Sequence, residues 1–490
     1  MNKLSFPTVK LGNYINEVKI KVKNSNYNQS DLIVYGVTNT NGVTITNNKA
    51  SDDLGNYTLI GENQFVYNPY RVNVGSIGLT GKETFGAVSP AYVVFETTYE
   101  LDSGFLLHYL KSNLGINLVK WYGDRGGVRS ALRFNDLKNI DIPALSLGEQ
   151  LTVLRKVNAV DILLNQLSNT HNITLEYISS LRQSILQKAV EGKLCVQNSN
   201  DEPASALLKK IKVEKKKLIK EKKIKKQKDL PPISENEKPF KLPNGWEWCR
   251  LGVICEINPR NTISNDLDVS FISMSMIESG YKNSHTHEKK KWLKIKTGFT
   301  HFRNDDIGIA KITPCFENRK SVIFKDLHNG YGSGTTELVI IRSNELILNE
   351  YLLAFFKTQN FIDNGTKTYT GTAGQQRIGK EYIAKCIIPI PPFAEQQRIV
   401  EKVNTLMVLC DELAEEISNS KKYASQLMES VLQEAFGNAN EKKKDNVLTL
   451  IPKQSIEKDG SDWSVAARGN LKESTWENLI KRADEITREG

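Results

Sequence analysis

Cysteine is scarce in this chain of 490 residues: six, scattered from Cys195 to Cys410, with no C-x-x-C pair. That spacing argues against a zinc ribbon or a disulfide framework and leaves buried thiols. Histidine is equally rare. His285-Thr286-His287 offers two imidazoles with no third ligand nearby in sequence, so it reads as a solvated loop. No apolar run approaches the ~18 residues of a membrane span, and the opening "MNKLSFPTVKLGNY" lacks the apolar core of a secretion signal. A cytoplasmic location is expected.

Signatures of catalysis are missing too. In "GSIGLTGKE", residues 75–83, the glycines are wrongly spaced for a phosphate loop, and Glu83 stands where a Mg-binding Ser or Thr is needed. "YNPYR", residues 67–71, lacks the second proline of the adenine methyltransferase motif, and no G-x-G-x-x-G follows a strand. The chain reads as non-catalytic, with no catalytic residue and no metal ligand to name.

The net charge of +10 is concentrated. Residues 209–228, "KKIKVEKKKLIKEKKIKKQK", hold 12 lysines and 2 glutamates, which accounts for the whole excess. A lysine run is a solvated helix or linker, or a segment that contacts phosphates without reading sequence.

A repeat organises the rest. "LSLGEQLTVLRKV" at Leu145 returns as "PPFAEQQRIVEKV" at Pro391, 246 residues later. In the same register Ile142-Pro143 lies over Ile388-Pro389, and Glu149-Gln150 over Glu395-Gln396. "GFLLHYLK" at Gly104 lies over "EYLLAFFK" at Glu350. Earlier the register drifts: Lys10-Leu11-Gly12 is matched with Arg250-Leu251-Gly252, and Asn73-Val74-Gly75 with Asp306-Ile307-Gly308. The chain is therefore two copies of one module with a basic joint between them.

Each module opens with short β-branched runs bounded by Gly, Asn and Asp, such as "DLIVYGV", "AYVVFE", "DIGIAKI" and "ELVIIR", which predict strands. "FLLHYLKSN" and "YLLAFFKTQ" predict a helix on that sheet. The order is irregular and not βαβ, so the fold class is α+β. Each module ends in a seam stepping by fours and threes. One runs Val153, Val157, Val160, Leu164, Leu167, His171, Thr174, Ile178, Leu181, Ile185. The other runs Ile399, Val403, Leu406, Cys410, Leu413, Ile417, Ser420, Ala424, Leu427, Val431. Such a seam predicts two long helices that pack on each other as an antiparallel coiled coil, each about 65 Å long. The first starts with Ser146 as N-cap and Glu149 three residues on, a capping box. The second follows Pro391-Pro392 and carries Glu395 in its first turn, where its charge suits the helix dipole.

Two modules, each followed by a long helix and joined by a Lys-rich segment, resemble the specificity subunits of Type I restriction-modification systems. The resemblance rests on "IIPIPPFAEQQRIVEKV", on "LPNGWEWCRLGVI" from Leu242, and on "EGKLCVQNSNDEPASALLKKIKVEKKKLIKE" from Glu191. It covers residues 1 to 436. It implies recognition domains at 1–147 and 244–392, spacer helices at 148–191 and 393–436, and a joint at 192–243. The tail, 437–490, has no place in the pattern. It also implies a subunit that reads a bipartite target in double-stranded DNA and holds two modification (methyltransferase) subunits and restriction (translocase and nuclease) subunits, without a membrane. S-adenosylmethionine, ATP and Mg are expected on those partners and no cofactor on this chain. Two rivals are a coiled-coil adaptor that binds only proteins and a fused methyltransferase or nuclease.

Base readout calls for Arg, Lys, Asn or Gln aimed at base edges. In the first module the richest stretch carries Trp121, Tyr122, Arg125, Arg129 and Arg133, with glycines that admit close approach. Its counterpart carries Tyr369, Gln375, Gln376, Arg377 and Lys380. The two share position and differ in donors, as two unlike half-sites require. The alternative is a surface loop that anchors sheet to helix.

Overall fold

The computed structural model describes residues 7–46, 53–124, 131–222, 224, 230–372 and 374–436; the tail, 437–490, lies outside the described residues. Two compact units emerge. One is built on the chain up to Asn172 with the helical stretch from Ile417; the other is built on Ile173–Glu416.

The first unit contains a four-stranded antiparallel sheet in the order Ile15–Glu17, Val93–Thr97, Phe65–Tyr67, Ile77–Leu79. A second sheet runs Gly42–Ile45, Val34–Thr38, Gly86–Val88, Thr58–Ile60, with one parallel pair between its two central strands. Thr8–Lys10 pairs with Asp141–Pro143 and ties the module's start to its end. The second unit repeats each of these. Its sheets run Glu256–Ile257, Leu338–Arg342, Ile307–Ala310, Ser321–Ile323 and Glu288–Lys291, Asp268–Ile272, Tyr331–Gly334, Thr300–Arg303, and Glu247–Arg250 pairs with Ile387–Ile390. Identical strand order confirms the duplication and the α+β class.

One matching of the modules changes. Phe65 pairs with Phe95 as Ile307 pairs with Ile341, so the strand equivalent to Ile307–Ala310 is Phe65–Tyr67. Asn73-Val74-Gly75 is a helical turn beyond that strand, ended by Gly75 at φ 89°. A shared Val/Ile-Gly pair had suggested the wrong register.

The helices Ser103–Lys111 and Asn349–Phe356 lie where the apolar runs place them. Each module then feeds a 44-residue helix, Leu147–Val190 and Phe393–Phe436. The capping box forms: Glu149 Oε2 accepts from the Ser146 N–H at 2.8 Å, and Ser146 Oγ accepts from the Glu149 N–H at 3.4 Å. Within the first unit the two helical stretches run antiparallel. Val153 and Leu432 pack on one core, and Lys421 Nζ donates to Asn172 Oδ1 at 3.0 Å. Phe436 is 1% exposed, edge-on to Phe105 and Tyr109 with ring centroids 5.4 and 5.3 Å away. In the second unit Arg182 pairs with Asp411, in the same antiparallel sense.

The seam of the first helix is buried or half-buried at every position named from the sequence. The second helix departs from its seam: Leu413 and Leu427 are 43% and 46% exposed, and Ala414 and Met428 turn inward instead. Ile417, Ala424 and Val431 stay half-buried, so the shift is confined to alternate seam positions, with 414 and 428 replacing 413 and 427.

Glu395 lies in the first turn of its helix, as expected, and is buried there. It is 1% exposed and accepts from Trp246 Nε1 at 2.9 Å and Gln197 Nε2 at 2.7 Å, and burial raises its pKa. The six cysteines are free. No helix among the described residues is long and apolar enough to cross a membrane.

Candidate nucleic-acid interface

In the second module, Thr370 and Arg377 are joined by reciprocal backbone bonds, Thr370 N to Arg377 O at 3.1 Å and Arg377 N to Thr370 O at 2.9 Å. Gly371 at φ 110° and Gly374 at φ 81° supply the left-handed backbone that this closure needs. Two bonds fasten the turn to the strand end beside it: Ile378 N to Lys311 O at 2.9 Å and Thr313 N to Gln376 O at 2.9 Å.

The named side chains divide. Gln375 is exposed and Gln376 half-buried, both on the turn. Arg377 grips Glu337 through both carboxylate oxygens, at 2.8 and 3.1 Å, and this contact raises its pKa. Its guanidinium is thus already used to brace the turn. Tyr369 packs edge-on to Phe316, its hydroxyl oxygen buried. Lys380 opens the helix Lys380–Lys385.

In the first module, Ser112 caps the helix Asn113–Gly123, accepting from the Gly115 N–H at 3.1 Å. Trp121 and Tyr122 lie in its last turn. Trp121 is 41% exposed; Tyr122 is 8% exposed, packed in the core and not at the surface. Arg125 and Arg129 lie outside the described residues. The chain returns with Ala131 N donating to Gly123 O at 3.2 Å and Leu132 N to Pro69 O at 3.0 Å. Arg133 follows, exposed, as N-cap of the short helix Phe134–Leu137. The bond from Leu132 to Pro69 is the counterpart of the one from Ile378 to Lys311. Both modules therefore fasten a corresponding residue, Leu132 or Ile378, to an equivalent strand end.

The basic joint has a folded part. Its helix Ala204–Lys220 buries Ala204, Leu207 and Ile211. Lys215 donates to the carbonyls of Gly252, Val253 and Cys255 at 2.7, 3.1 and 3.3 Å, and burial lowers its pKa. Lys209, Lys212, Lys216, Lys217 and Lys220 are exposed. Arg250, 6% exposed, holds the joint by donating to the carbonyls of Pro231 and Pro232 and to Glu237. The Ser234 N–H and then Arg250 hold the Glu237 carboxyl down to about 2. Sequence reasoning missed both roles, because the partners of Lys215 and Arg250 are distant in sequence. Among the described residues no group of three His, Cys, Asp or Glu is placed to hold a metal.

A family model described as "Type I restriction modification DNA specificity domain" matches residues 243–420. The chain is 47% identical over 294 residues to the Type I restriction enzyme EcoAI specificity subunit of Escherichia coli, covering 60% of this chain and 47% of that protein. It is 48% identical over 263 residues to the EcoEI specificity subunit of Escherichia coli, covering 53% and 44%. These matches thus span about half the length of each relative. A chain from a solved type I R-M system superposes with a TM-score of 0.63 at 16% identity, covering 89% of this chain and 99% of that one, a likeness of fold. Residues 243–420 thus match the specificity domain of Type I restriction-modification systems, and the chain shares its fold with a solved chain from such a system.

Proposed function

We propose that the chain reads DNA for a Type I restriction-modification assembly and performs no chemistry itself. Each module reads one half of a split target in double-stranded DNA. The observation that carries this reading is the duplicated anchoring bond, Leu132 to Pro69 and Ile378 to Lys311, each preceded by a sequence with its own set of donors. Equal placement with unlike donors suits two half-sites of unlike sequence.

Two modification subunits and the restriction subunits would dock on the helices. In the first unit Ile162 and Leu163 are 59% and 62% exposed; in the second Val408 and Leu413 are 55% and 43% exposed. Apolar side chains grouped on a helix that already has a partner mark a further contact surface. S-adenosylmethionine, ATP and Mg would arrive on those partners, in the cytoplasm.

The test is DNA binding by the full chain with its modification partner, titrated against salt and unrelated competitor DNA. The expected result is a steep salt dependence with a preference for one split sequence that survives competition. Absence of DNA binding by this complex would favour a protein-only adaptor, and methyl transfer by this chain alone would favour a fused enzyme.

A further inference from the structure

Tyr67 to Arg71, whose sequence falls one proline short of a methyltransferase motif, forms the tip of a hairpin. Residues 68–76 join the strands Phe65–Tyr67 and Ile77–Leu79, with Tyr67 opposite Ile77. The tip is fixed from within. Asn68 Oδ1 accepts from the Tyr70 N–H at 3.0 Å, and the Asn68 carbonyl accepts from Arg71 at 3.0 Å and Val72 at 2.9 Å. Ser76 N closes it onto Arg71 O at 3.2 Å, and Val72 is 4% exposed. None of these bonds uses the side chains of Tyr70 or Arg71. Tyr70 is 58% exposed and Arg71 is exposed.

The tip has loops on both sides. Pro69 O receives the Leu132 N–H, and Pro69, Asn73, Lys120 and Asp124 line one shallow depression. On the other side Asn39 comes from the turn between the strands Val34–Thr38 and Gly42–Ile45. A Cβ on Gly75 would fall 2.4 Å from Asn39 Oδ1. Asn39 and Asn41 are exposed. The first module therefore carries Arg71 and Tyr70 on a hairpin tip that lies against Asn39 on the neighbouring turn and is bonded to Leu132.

We infer that this hairpin tip is a second base-reading element of the first module, with Arg71 and Tyr70 as specificity-determining residues. The inference rests on the DNA-reading function proposed above. An arginine fork matches the O6 and N7 acceptors of guanine, and an asparagine amide matches the N6 and N7 pair of adenine. A backbone locked by its own hydrogen bonds gives such side chains the fixed origin that base readout requires.

The experiment maps methylated bases across the genome of a host that carries the full chain and its modification partner. Wild type, Tyr70→Ala, Arg71→Ala and Arg71→Lys are compared, with Gln375→Ala/Gln376→Ala as the reference for the second module. Arg71→Ala and Arg71→Lys are both expected to relax the half-site that the reference leaves unchanged. Discrimination should fall on the order of tenfold to a hundredfold at one or two base pairs, with Tyr70→Ala having a similar effect. Thermal unfolding should be unchanged, since Asn68 and Gly75 hold the tip. Arg71→Lys keeps the charge and loses the fork, so relaxation in that variant separates base reading from phosphate contact. An unchanged map for all three variants, or a uniform loss restored by lysine, would overturn the inference while leaving the DNA-reading function standing. A wild-type complex that methylates no split target would remove both together.

Discussion

Leu348 donates its backbone N–H to the side chain of Gln396 at 2.9 Å, and the Gln396 amide in turn donates to Pro391 O at 3.2 Å. Asp102 and Leu145 hold Gln150 in the same way, at 2.8 and 2.9 Å. Each glutamine fastens the start of a long helix to its own module, which is why the Glu-Gln pair recurs at 149–150 and 395–396. Gln396 is fully buried. Gln396→Ala should strand a buried donor and a buried acceptor and destabilise the second module by about 2–3 kcal/mol. Urea unfolding followed by tryptophan fluorescence would measure it, and a change within error would refute the clamp.

The strands, the paired helices and the duplication were legible because alternation, seam and repeat are local patterns. What escaped depended on partners far along the chain. Arg377 looks like a reader until Glu337 is found beside it, 40 residues away. Tyr122 looks like part of a base-reading stretch until the core closes over it. Leu413 and Leu427 gave their seam places to Ala414 and Met428, while Ile417, Ala424 and Val431 kept theirs. Tyr70 and Arg71 were passed over as part of a motif; the available signal was an Asn-Pro turn carrying donors and ended by glycine.

Arg377→Ala should act on structure and not directly on sequence reading. The ion pair is partly exposed, with Arg377 and Glu337 side chains 39% and 26% accessible, so the cost should be about 0.5–1 kcal/mol. Hydrogen exchange at residues 370–378 should rise. Gln375→Ala should leave that exchange unchanged.

Lys357 supplies a pH prediction. It is 3% exposed, its ammonium donates to the carbonyls of Gly280, Lys282 and Arg319 at 2.8, 3.0 and 3.2 Å, and burial pulls its pKa down to about 7. The unfolded lysine keeps its proton to about 10.4. Between those values the unfolded state binds more protons, so stability should rise with pH, by at most about 1.4 kcal/mol per pH unit. Below pH 7 both states are protonated and the slope should vanish. Thermal unfolding from pH 6 to pH 10 should show this rise, and the difference between wild type and Lys357→Met isolates it. Identical pH profiles for the two would contradict the assignment.

The exposed lysines of the joint should bind phosphates without regard to sequence. Replacing Lys209, Lys212, Lys216, Lys217 and Lys220 with glutamine, and sparing Lys215 for its structural bonds, should weaken binding equally for cognate and unrelated duplexes. The slope of log affinity against log salt should flatten by up to about 0.9 for each contact removed. Selective loss on cognate DNA would point to base contacts in the joint.

The most direct test of a two-module reader is to alter one module and map methylated bases in a host that supplies the modification partner. Wild type should methylate a split target, two short constant segments around an unread spacer. Changing Gln375 and Gln376 to alanine should relax one segment by about 1–3 kcal/mol per lost contact and leave the other and the spacer as they were. A contiguous target, or equal relaxation of both segments, would contradict the account.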